Sequence, residues 1–168
     1  MRKWIVIVLG AAAALLIGWQ VLSPWIAMDA LRDAAREGDR DTLEENIDFP
    51  ALRASVKAEL FQQIEAEARK RGDEEGLASI GTKFAKGFVD GTVDAVITPS
   101  GVSGMLTSGS LIPRTQGTAQ AQEIDWKVKW VSFDTFHAYP AQDDGTVHPA
   151  LVFKRDGLGW KLSGLDIP

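Results

Sequence analysis

The chain has 168 residues, 45% of them hydrophobic and 24% charged, with a formal net charge of −5 and no cysteine. This composition excludes a mainly disordered or low-complexity chain, and the length leaves one domain of roughly 145 residues behind an apolar first segment. The missing cysteines exclude disulfides, thiolate catalysis and cysteine-ligated metal clusters. Behind Arg2 and Lys3 the balance is 16 Lys+Arg against 23 Asp+Glu, an acidic body without the basic footprint that nucleic-acid binding requires.

Residues 4–22 read WIVIVLGAAAALLIGWQVL, uncharged and with Gln20 as the one strongly polar side chain. As a helix this stretch reaches about 29 Å, close to the ~30 Å hydrocarbon core of a bilayer. Ten of its residues are Ile, Leu or Val, each contributing roughly −0.3 to −0.6 kcal/mol to insertion. Residues 1–23 are therefore expected to form a transmembrane signal anchor, with Trp4, Trp19 and Trp25 near its ends, where indole rings favour the interface. Arg2 and Lys3 hold the N-terminus in the cytoplasm, so residues 24–168 are expected as a soluble periplasmic domain on a single-pass inner (cytoplasmic) membrane protein. Arg32 and Arg36 behind the segment weaken that asymmetry. A cleavable signal peptide would need a small-residue A-x-A-like pair after the apolar run, where Trp25 and Met28 stand.

The next elements are helical, over residues 24–108. Ser23-Pro24 reads as an N-cap followed by proline at the first helical position, opening a helix that Gly38 ends. Asp41 to Glu44 resembles a capping box for a short helix, and Asp48-Phe49-Pro50 resets the chain for a longer one, where Leu52, Val56, Leu60 and Ile64 make an amphipathic stripe over 50–71. A further helix is expected over 75–97, weakened by Gly81, Gly87 and Gly91, glycines that permit close approach to a ligand or to another helix, with tight helix packing the favoured reading. Thr98-Pro99 ends it and starts a short helix through Leu106, and residues 107–123 read as a loop, the domain's linker being placed at 109–124.

Residues 125–168 change character. Trp126, Val128 and Trp130 alternate with Lys127 and Lys129, the period of a half-buried strand, which is expected to continue past a bulge or bend through Phe133, Phe136 and Tyr139. A turn at 143–145, a strand over 148–155, a hairpin at 156–159 and a last strand over 160–167 complete an antiparallel β-meander. The fold class is α+β: an N-terminal transmembrane helix, a helical segment, then the sheet.

The stretch SPWIAMDALRDAAREGDRDTLEENIDFPALRASVKAEL behind the anchor, with WVSFDTFHAY and ALVFKRDGLGWKLSGLDIP near the end, resembles the bacterial domain of unknown function 2939 family. The likeness extends over nearly the whole chain and is most specific at residues 48–53 and 155–162. It implies a small, membrane-anchored bacterial envelope protein and supplies no activity. A looser fold-level analogy connects the pattern to cystatin-like and nuclear-transport-factor-like domains, in which helices pack on a curved sheet, although three strands are few for the pocket of those folds.

No motif carries a catalytic or metal site. His137 and His148 have Asp134, Asp143 and Asp144 nearby in sequence, and a His137/Asp134 pocket would suit a small hydrolase or isomerase, but two histidines are ordinary in a chain of this size and turn chemistry explains the aspartates around position 143. Gly109 to Leu111 lacks the G-x-S-x-G setting of a serine nucleophile, Gly101 to Gly104 lacks the P-loop lysine, and the acidic runs lack calcium-loop spacing. Trp126, Trp130, Trp160 and Phe136 form either an aromatic platform for a ligand or the core, with ring size favouring core. No cofactor is expected. The leading expectation is a non-enzymatic envelope domain that binds a protein partner or a small apolar ligand. The alternatives are the enzyme and a structural accessory subunit docked on a membrane complex through residues 81–91.

Overall fold

One helix, α1 (Arg2–Glu37), carries the apolar N-terminal stretch directly into the domain in the computed structural model, which describes residues 2–70, 82–108, 125–141 and 149–167. The expected break at Ser23-Pro24 is absent. Proline removes the N–H that would bond the carbonyl four residues back, and the Ser23 hydroxyl donates to that Gln20 carbonyl instead, at 3.3 Å. Ser23 is thus a buried residue within a continuous helix and not an N-cap.

Among the described residues, no helix is long and apolar enough to cross a membrane. The expected span over 4–22 rests on the sequence, in which Ala13, Leu16 and Ile17, whose side chains lie outside the description, complete the apolar run. Trp4 to Leu9 and Leu15 are more than half exposed. Behind Ser23 the same helix buries Met28, Leu31, Ala34 and Ala35, a stripe at helical spacing, while Asp29–Arg32 and Asp33–Arg36 pair on the outer side.

Gly38 takes a φ of 68°, and the Asp39 N–H returns to the Ala34 carbonyl at 2.9 Å, closing a Schellman turn. The short helix α2 (Arg40–Asn46) begins at Asp39, two residues before the expected Asp41, because Asp39 accepts from both the Thr42 N–H and the Thr42 hydroxyl. These bonds hold its carboxyl below the ordinary carboxylate range. Helix α3 (Phe49–Lys70) is capped by Asp48, which accepts from the Ala51 N–H. Helices α4 (Thr82–Val96) and α5 (Pro99–Ser108) meet at a turn where the Thr98 hydroxyl accepts from Gly101 N–H and Arg53 donates twice to the Ile97 carbonyl. The expected helix start at 75–81, the 109–124 loop, the 143–145 turn and His148 lie outside the described residues.

The sheet has four antiparallel strands in the order β1-β2-β3-β4: β1 (Trp126–Ser132), β2 (Thr135–Pro140), β3 (Ala150–Asp156) and β4 (Gly159–Asp166). The single bent strand expected from Trp126 to Tyr139 is instead a hairpin, turning at Phe133-Asp134, with a register shift between Trp130 and Ser132. Asp134 fixes that turn by accepting from the Ser132 and Thr135 hydroxyls, which lower its pKa. The free edge of β4 is covered: Ile47 bridges Leu162, Asp48 N–H bonds the Leu162 carbonyl, and Ser55 of α3 bonds both the N–H and the carbonyl of Leu165. All described helices other than the exposed part of α1 pack through one buried core with Phe136, Ala138, Leu151, Phe153, Leu162 and Leu165 of the sheet.

Candidate functional site

The strand register sorts the candidate residues between two faces. Trp126, Val128 and Trp130 oppose Pro140, Ala138 and Phe136, and those lead through Leu151 and Phe153 to Leu165 and Leu162, so all of them share the helix-covered face. His137 falls on the opposite face, opposite Lys129 and Val152.

His137 and Asp134 therefore do not converge. The His137 ring lies 3.3 Å from the Tyr139 hydroxyl and 3.4 Å from an Asp166 carboxylate oxygen, whereas Asp134 is occupied by its own turn. Neither borders the apolar cavity described below. Among the described residues no group of three or more His, Cys, Asp or Glu side chains is placed to hold a metal ion.

The four aromatic candidates separate into two settings. Phe136 and Trp160 are core, at 0% and 4% exposure. Phe136 stacks on Phe153 with centroids 4.6 Å apart and meets Trp160 edge-on at 4.8 Å, while Trp130 leans on Trp160 at 5.4 Å from the partly open end of the sheet. Such pairs add about 0.5–1.5 kcal/mol each beyond the area they bury. Trp160 Nε1 donates to Ser23 Oγ at 2.9 Å in a buried bond, and the Arg155 guanidinium lies 4.1 Å above its ring. This cluster ties α1 to the sheet. Trp126 stands apart at the other end of β1.

There the inner face of the sheet and helices α3, α4 and α5 leave a cavity of about 390 Å³. Leu52, Val56 and Leu60 form one wall, Val93, Val96 and Ile97 a second, Val102, Met105 and Leu106 a third, and Trp126, Leu151, Leu162 and Leu165 the floor, with Pro140, Pro149 and Ile167 at the strand ends. Thr92 is the one hydroxyl side chain in the lining. The size falls within the range of small-molecule sites, and a cavity so lined takes apolar matter in preference to water. The indole N–H of Trp126 is buried without a hydrogen-bond partner.

Electrostatics fix the walls without entering the cavity. Lys57 of α3 reaches Asp94 at 3.0 Å and Asp90 at 3.3 Å on α4, and Asp94 is the main cause of its raised pKa. Arg53, one turn earlier, holds the C-terminus of α4. Gly87 and Gly91 do not pack closely against another element: a Cβ at either would meet nothing within 4 Å, against the expectation of tight helix packing there. Only Trp126 of the expected residues borders the cavity. The rest of its lining was invisible to sequence reasoning because each residue there is an ordinary core type on its own element.

The chain belongs to the family described as Protein of unknown function (DUF2939), whose model matches residues 13–105. The match takes in α1 from residue 13 onward, α2, α3, α4 and most of α5, including residues 48–53; the first part of α1, the sheet and residues 155–162 lie beyond it. No curated protein and no solved structure matches the chain.

Proposed function

We propose that this DUF2939 member is a membrane-tethered binding domain of the bacterial envelope that holds a small apolar ligand, such as an acyl chain, between α3–α5 and the inner face of the sheet. The observation that carries the reading is the 390 Å³ cavity with almost wholly apolar walls. The tether is the first part of α1: an uncharged, helical stretch of 19 residues whose Trp4 to Leu9, Leu15, Val21 and Leu22 are exposed, with two cations ahead of it and an acidic domain behind it. This reading orients the domain toward the periplasm and assigns it binding without turnover.

Two experiments test it. A C-terminal alkaline phosphatase fusion is expected to be active in intact cells and to resist alkaline extraction from membranes; an inactive fusion, or one recovered in the cytosolic fraction, would refute the tether. For the site, the full chain in detergent is titrated with a fluorescent fatty acid beside a Val56→Phe variant, whose added ring occupies the cavity. Saturable binding to the wild type, weakened at least tenfold in the variant, is expected. Equal binding by both chains would place the probe elsewhere and remove the cavity from the account.

A further inference from the structure

The apolar stretch of α1 and the domain are joined without a linker, and this fixes the height at which the domain sits. α1 is unbroken from Arg2 to Glu37 and is held to the sheet by the buried Ser23–Trp160 bond. One turn before that bond, Trp19 Nε1 donates to the Leu158 carbonyl at 3.2 Å and Gln20 Nε2 donates to the Phe133 carbonyl at 2.9 Å. Phe133 and Leu158 are the turn residues of the β1–β2 and β3–β4 hairpins, and their side chains are 75% and 77% exposed. Both tips thus lie at the level of residues 19–20, roughly 5 Å inside the outer end of the apolar stretch at 1.5 Å per residue.

We propose that the two hairpin tips are a bilayer-docking surface, with Phe133 and Leu158 inserted into the interfacial layer of the phospholipid membrane that α1 crosses. This rests on the tethered reading of α1 given above. Polar turn formers are the rule in tight turns, and although the Arg155 guanidinium lies 5.7 Å from the Phe133 ring, both apolar tips stay about three-quarters exposed. Val131, next but one to Phe133 in the chain, is a further exposed hydrophobic at the first tip. Charge is managed to match. Asp134 is turned onto the Ser132 and Thr135 hydroxyls, with Lys154 adding an opposite charge. The Arg155 guanidinium bonds Gln20 and lies against the rings of Trp160 and Phe133, so the cation nearest the tips is held inside the joint, with no carboxylate of the described residues within ion-pair distance. The cavity lies at the opposite end of the strands, where Trp126, Pro140, Pro149 and Ile167 gather. At about 3.3 Å per residue it is some 20 Å from the tips, so an apolar ligand seated there has left the bilayer completely.

The absence of cysteine makes a direct test simple. Single cysteines at Phe133, Leu158, Ala12 and Asp125 in the full chain are labelled with an environment-sensitive nitrobenzoxadiazole dye and reconstituted into phosphatidylcholine vesicles. Labels at 133, 158 and 12 are expected to be quenched by lipids spin-labelled high on the acyl chain and shielded at least fivefold from aqueous iodide, with the label at 125 showing the reverse. Iodide quenching at 133 and 158 with the label at 12 still lipid-quenched would overturn the docking surface and leave the tether standing. Iodide quenching at 12 would overturn both.

Discussion

Replacing Ser23 by alanine removes one hydroxyl and with it the buried bond in the joint between the apolar helix and the sheet. Ser23 is 4% exposed, accepts from Trp160 Nε1 at 2.9 Å and donates to the carbonyl that Pro24 leaves unbonded. The variant strands a buried indole N–H, which costs about 1–3 kcal/mol, while the longer bond to Gln20 adds little. For a domain of this size each kcal/mol lowers Tm by about 2–4 °C, so a fall of roughly 2–12 °C is expected. Thermal unfolding of the full chain in detergent, followed by near-ultraviolet circular dichroism, reads the change. Trp160→Phe removes the donor as well as ring contacts with Trp130 and Arg155. The double variant should cost about 1 kcal/mol less than the two single changes added together, because neither partner is then left unpaired. A Ser23→Ala protein that melts with the wild type, or strict additivity in the cycle, would refute the reasoning.

Val56→Phe should raise the stability of the empty chain by about 0.5–2 kcal/mol, read by chemical denaturation, while it weakens ligand binding, since filling a void serves packing at the expense of the site. Gly164→Ala should destabilise by about 1–3 kcal/mol in the same assay, because its Cβ would stand 2.7 Å from the Ser55 hydroxyl that pairs with β4. Acid should weaken the fold through Asp39 and Asp134. Both have folded pKa values below the unfolded ones, so their contribution is complete above the unfolded carboxylate pKa of about 4 and is lost as pH falls through the folded value. Tm measured from pH 6 down to 2 should therefore drop less steeply in Asp39→Ala than in the wild type.

How much of this was legible in sequence depended on how local the cause was. Gly38, Asp48 and Thr98-Pro99 act on their own neighbours, and the helix ends they mark lie where the pattern put them. Ser23-Pro24 carried the same local signature and misled, because the hydroxyl has a partner 137 residues away and the helix continues through the proline. The hairpin at Phe133-Asp134 was hidden for a related reason: an apolar residue holds a position where glycine or asparagine usually marks the turn. The cavity was least legible. Its walls come from three helices and four strands, and no spacing within one element distinguishes a side chain that lines a void from one that fills the core.

The most direct test of the binding site uses Trp126 as its own probe. Fatty acid brominated along the chain quenches indoles on contact, so quenching of the full chain in detergent is compared with that of a Trp126→Phe variant. The bound acyl chain should extinguish a component of the emission that the variant lacks, while Trp160, enclosed between Phe136, Trp130 and Arg155, stays bright. Identical quenching in the two proteins would mean that no acyl chain enters the space beside Trp126.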